Sequence, residues 1–222
     1  MNPMSTYLHP AQKLKALSPR KKQLWVVAYV NQPKESPVSQ ADLNQAALAD
    51  VRTSFEGGAD AVVLINEWCA LDELEGALAS VRARFPSVKL GVNYLGDAGE
   101  TYGWKDSFRL ARQYDLQLVW TDFSGVDRIE ERGLMDLHAA RDSKPENVFY
   151  ASGVHMKYST LVDRTKTIEE SALQAMGWVD GVIVTGPKTG IPCDPETARR
   201  ARLAIGPGYP LGVASGVTPE NV

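Results

Sequence analysis

The sequence predicts an α/β protein whose parallel strands form a TIM (β/α)₈-type barrel, with seven βα units legible. Three observations carry this. Short Val-, Leu- and Ile-rich runs alternate with stretches of helical periodicity at intervals of roughly 30 residues, the pattern of βαβ units covered on both faces. Nearly every run ends on polar residues, and barrels gather their chemistry at that end. The first run is followed by "NQPKESPVSQ", without the glycine fingerprint that a dinucleotide-binding sheet carries there, which disfavours an open doubly wound sheet.

In chain order, "MNPMSTYLHPAQKLKALSPRKK" has scattered prolines and basic residues but no apolar core of a secretory signal. Residues 1–23 are therefore expected to be a loosely ordered basic arm, and residues 24–222 a single barrel domain. The candidate strands are 24–30, 60–66, 88–94, 116–122, 147–153, 181–186 and 210–215. Leu71, Leu74, Leu78, Val81 and Phe85 recur on one helical face, and Pro86 stops the run. Ile168, Ala172, Ala175 and Met176 form a second stripe closed by Gly177. Asp194 followed by Pro195 reads as an N-cap opening a helix to about Ile205. A barrel of this type needs eight strands, so the chain reads as C-terminally truncated before the last one, with unpaired strand edges as a consequence.

Composition narrows the partners. The 222 residues carry 24 Lys and Arg against 27 Asp and Glu, a formal net charge of -3, and so present no global basic field for nucleic acid. Cys69 and Cys193 are too few for a disulfide framework, which fits a reducing cytoplasm, and they lack zinc-site clustering. No run approaches the roughly 20 apolar residues of a membrane span, so any membrane association is expected to be peripheral. The expected partner is a small phosphorylated ligand, with a homo-oligomer as the assembly; the residues point to no metal site and name no cofactor.

Strand ends supply the candidate site: Asn31, Asn66 and Glu67, Asn93, Thr121 and Asp122, His155 and Lys157, Thr185, and Ser215. Amides at three strand ends suggest a polar pocket, since an unpartnered buried amide is costly; capping of turns and helices is the competing account. In "ASGVHMKYS" (151–159), strand alternation would put Gly153, His155 and Lys157 on one face. An imidazole suited to proton transfer would then project beside an ammonium able to neutralise an anion or form a Schiff base. Glu67 and Asp122 are candidate partner acids, and Asn66 and Asn93 would orient substrate. His9 and His138 look incidental. The loop 185–197 places Lys188 between two glycines. The closing "SGVTPEN" puts Ser215, Gly216 and Thr218 where barrels often hold phosphate.

Six stretches, "GGADAVVLINE", "LGVNYLGD", "ERGLMDLHAAR", "SGVHMKYS", "DGVIVTGPKTGIPCDPETARRAR" and "LGVASGVTPENV", resemble the BtpA (BtpA/SgcQ) family in order from about residue 40 to 222. The resemblance implies a TIM barrel and a link to photosystem I biogenesis. Where family members commonly show Asp-Val-His-Val-Lys-His, this chain has Gly153-Val154-His155-Met156-Lys157-Tyr158, keeping the central His and Lys. The last ten or so residues are also similar to the phosphate-binding turn of phosphoribosylanthranilate isomerase. Two functions are expected to compete: an isomerase- or lyase-type enzyme acting on a sugar or nucleoside phosphate, and a non-catalytic assembly or regulatory factor.

Overall fold

Strands that are apolar on both faces must be covered on both. The computed structural model, which describes residues 8–96, 103–127, 131–157, 161 and 163–221, shows how. In chain order the elements are α1 (Pro10–Leu17), β1 (Trp25–Asn31), α2 (Gln40–Glu56), β2 (Ala61–Glu67), α3 (Leu71–Arg84), β3 (Leu90–Asn93), α4 (Trp104–Gln113), β4 (Leu118–Thr121), α5 (Glu131–Ser143), β5 (Phe149–Gly153), α6 (Ile168–Ala175), β6 (Gly181–Thr185), α7 (Pro195–Ile205) and β7 (Leu211–Ala214). All seven expected strands are present, several a residue or two shorter at their ends.

The strands are parallel and stand in sequence order, β1 to β7, in one sheet. Alternation splits their side chains between two cores. Val62 and Leu64 of β2, Val92, Val119 and Val182 join Leu74, Leu78, Phe108 and Ala172 of the helices in an outer core. Ala61, Val63, Leu118, Phe149, Ala151 and Ile183 form an inner core. The sheet is curled around that inner core. Trp25 of β1 and Phe149 of β5 stack edge to face at 5.6 Å, whereas four strand spacings in a flat sheet would separate them by about 19 Å.

Residues 10–17, expected within a loose arm, form α1 instead, with His9 as its N-cap. Leu14 and Leu17 pack on the inner core at the N-terminal end of the strands, so the helix has an apolar face to bury. Lys13 lies buried, its ammonium 3.4 Å from Asp180, which also accepts from Lys144 at 2.9 Å and from the Tyr150 amide at 2.9 Å. Residues 1–7 of the arm lie outside the described residues.

Candidate active site

At the opposite, C-terminal end of the strands, the inner face carries polar groups. Gly91 pairs with Leu118 and Val92 with Val119, so the same register sets Asn93 at the end of β3 beside Trp120 of β4. Asp122 follows on the same side, two residues beyond Trp120. The Asn93 Nδ2 donates to the Asp122 carboxylate at 2.9 Å. Burial pushes the Asp122 pKa above its ordinary 3.8, and it outweighs the Asn93 hydrogen bond and the Lys157 charge, both of which favour the carboxylate. Asn93 is 1% exposed, and its Oδ1 has no hydrogen-bond partner among the described residues; neither has the enclosed Trp120 Nε1. Groups left so cost on the order of 1–3 kcal/mol each unless something pairs with them.

Lys157 brings the later strands to this carboxyl. Its amide donates to Thr185 Oγ1 at the end of β6 (3.3 Å), and its ammonium donates to Ser215 Oγ just after β7 (3.0 Å). Ser215 and Gly216 both take left-handed backbone, φ 72° and 56°. A Cβ on Gly216 would stand 2.4 Å from the Pro192 nitrogen, so only glycine lets this turn lie against the loop after β6. Gly153 acts similarly on the other side: a Cβ there would meet the Asp122 carbonyl at 2.5 Å. Thr218 is exposed, and its amide is taken by Asn221 Oδ1 at 2.8 Å. Asn221 Nδ2 in turn donates to the Gly216 carbonyl at 2.9 Å. Lys188 is exposed on the loop between β6 and α7.

His155 does not join Lys157. Strand pairing in β5 ends at Gly153, and His155 adopts φ 47°, so the alternation that would have put the two side chains on one face no longer applies. Its Nε2 meets Ser171 Oγ on α6 at 3.1 Å, and its amide donates to Asp127 Oδ2 at 2.7 Å. The Ser171 hydroxyl donates to Asp127 Oδ1. Since that hydroxyl has a single proton, Nε2 is the donor to Ser171, and the imidazole serves a loop clasp together with Lys166, 3.9 Å from Asp127.

Asn66 also faces away from the inner core. Its Oδ1 accepts from the Leu95 amide at 2.7 Å and its Nδ2 donates to the Cys69 carbonyl at 3.4 Å, so it ties two loops together, as the capping account anticipates. Glu67 ends β2 half-buried. Its neighbour Trp68 is 64% exposed at φ 60°, with the Lys34 ammonium 3.4 Å from its ring centroid. The structure therefore gathers Asn93, Asp122, Lys157, Thr185 and Ser215 and places His155 and Asn66 elsewhere. Sequence reasoning missed Trp120, although its position two before Asp122 was the available signal; Asp127 and Ser171 gave none. Among the described residues no group of three or more His, Cys, Asp and Glu could hold a metal ion, and no helix is long and apolar enough to cross a membrane.

A curled parallel sheet in sequential strand order, with alternating helices outside and polar groups at the strands' C-terminal ends, defines a TIM-type α/β fold. No known protein-family model matches the chain, and no curated protein matches it. Solved structures are similar in fold. A mandelate racemase/muconate lactonizing enzyme from Roseiflexus sp. superposes at TM-score 0.51 with 17% identity, over 89% of this chain and 49% of that one. A dihydropteroate synthase from Xanthomonas albilineans, solved with 4-aminobenzoic acid, superposes at 0.50 with 14% identity, over 86% and 70%. An isomerase from Streptomyces coelicolor A3(2) shares 21% identity over 72% of this chain at 0.44, and this chain covers 38% of it. The chain thus spans about half the length or less of several of these proteins. At such identities the likeness speaks for the fold alone.

Proposed function

We propose that this protein is a BtpA-like barrel enzyme, of isomerase or lyase type, that acts on a small phosphorylated metabolite through acid/base chemistry at the C-terminal rim. The observation that carries this is the convergence of Asp122, held by Asn93, with Lys157, held by Thr185 and reaching Ser215, from five different strand ends. A carboxyl whose pKa is raised by burial holds a proton more readily than an exposed one, which suits it to proton transfer. The ammonium of Lys157, the Ser215 hydroxyl and the glycine turn at Gly216 supply donors for an anion. Asp122 takes the proton-transfer role expected of His155, because the imidazole is engaged with Ser171. Glu67 is retained as a second acid on the same rim, Lys188 as an outer contact, and Thr218 as part of the turn that shapes the anion end.

A ligand that binds only the folded state raises its melting temperature. Sugar phosphates are expected to do so by several degrees near saturation, and Lys157→Ala to abolish the shift. A wild-type chain whose melting temperature is unmoved across a phosphometabolite panel would refute the reading.

A further inference from the structure

Two of the unpartnered buried polar atoms at the rim have opposite character and belong to residues on adjoining strands. Asn93 Oδ1 can only accept and Trp120 Nε1 can only donate, and the β3–β4 register makes their residues neighbours on one face. The Asp122 carboxyl is bonded to the same Asn93 side chain. The Lys157 ammonium is drawn instead toward Ser215 at the β7 end. The rim is therefore bipolar, with an anion end at β5–β7 and an end at β3–β4 that offers one acceptor, one donor and an acid.

We propose that the β3–β4 seam is a hydroxyl-recognition subsite that seats the uncharged end of a sugar or polyol monophosphate, one hydroxyl donating to Asn93 Oδ1 and an adjacent oxygen accepting from Trp120 Nε1. The inference rests on the phosphate reading above for the other end of the ligand. Hydroxyls fit because each both donates and accepts, so neighbouring ones satisfy the two atoms together. A second phosphate does not fit. Its oxygens would be poor donors to Asn93, and its charge would face Asp122, so the site selects monophosphates against bisphosphates.

The test follows the indole N–H signals of the ¹⁵N-labelled full chain, that of Trp120 being identified by its loss in Trp120→Phe. The ligands are pentose and hexose monophosphates, their free sugars, the corresponding bisphosphates and inorganic phosphate. At least one monophosphate is expected to move the Trp120 signal and to bind several-fold more tightly than inorganic phosphate, which leaves that signal in place. Trp120→Phe keeps the ring against the inner core and is expected to weaken monophosphate binding by about 2- to 10-fold, the worth of one neutral hydrogen bond, without changing the affinity for inorganic phosphate. Lys157→Ala is expected to weaken both.

Monophosphates that bind no better than inorganic phosphate, or that bind equally well in Trp120→Phe, overturn the seam while leaving the phosphate reading intact. Bisphosphates that move the Trp120 signal as strongly as monophosphates overturn the selectivity. Free sugars that move it as strongly as their phosphates keep the seam and overturn the phosphate reading. No response to any ligand overturns both.

Discussion

At Asp122 the burial of a carboxyl works against stability, and the proposed function gives that same group its proton-transfer role. Its folded pKa lies above the ordinary 3.8 because burial disfavours the charged form. The sign follows: such a group favours the fold fully below the unfolded pKa, and that contribution is lost as pH rises through the folded value. Asp122→Asn cannot ionise. Its melting temperature relative to wild type is therefore expected to climb as pH rises from about 3.8 and then level off, while proton-transfer activity is lost. A difference that stays flat or falls with pH in thermal scans would contradict the burial. The two thiols make a contrasting case. Burial and the nearby Glu73 push Cys69 up to about 11, and burial raises Cys193 as well. Neither is a thiolate at neutral pH, so native protein is expected to react with iodoacetamide far more slowly than unfolded protein, read by mass spectrometry.

At the scale of elements, two clasps position the rim and its base. At the base, α1 is held by Leu14 and Leu17 in the inner core and by the Lys13, Asp180 and Lys144 cluster. Asp180→Ala leaves both ammonium groups without their shared carboxylate. This is expected to cost about 3–5 kcal/mol, since breaking a buried pair strands its charge; urea unfolding measures it, and limited proteolysis should then cut near α1. Near the rim, Asp127 joins the segment after β4 to the His155 amide and to Ser171 on α6. Asp127→Asn replaces an ionic acceptor with a weaker one and is expected, under the proposed function, to lower turnover with substrate affinity changed less, because the anion contacts proposed for Lys157 and Ser215 are left in place. An unchanged turnover in steady-state kinetics would show that the clasp does not position Asp122.

At the scale of the whole molecule, the curl makes one core out of strands far apart in sheet order. Trp25 and Phe149, four strands apart, touch inside it. A double-mutant cycle on Trp25→Leu and Phe149→Leu is therefore expected to show coupling of about 0.5–1.5 kcal/mol in unfolding free energy. Residues on a flat sheet at that separation would add independently. The same curl explains what was legible from the chain alone. Parallel strands buried on both faces read as continuous apolar runs, so all seven were found near their observed positions. The stripe from Leu71 to Val81 and the Asp194-Pro195 cap announced α3 and α7, because periodicity and capping are local properties. That residues 10–17 form a packed helix was not legible, because the burial of Leu17 and Lys13 depends on Phe149 and Asp180, which no local pattern reveals.

Local chemistry in the sequence by itself determined the element order, the parallel α/β class and the set of polar residues at the strand ends. Only the tertiary structure decided which of those residues meet. Asn93 finds Asp122 across 29 residues and Lys157 finds Ser215 across 58. His155 turns to α6 because a single left-handed residue past the end of β5 breaks the alternation that the sequence implies. Strand periodicity is set by each residue's neighbours in the chain. Side-chain convergence is set by sheet curl and backbone sign, and these exist only once the strands have paired.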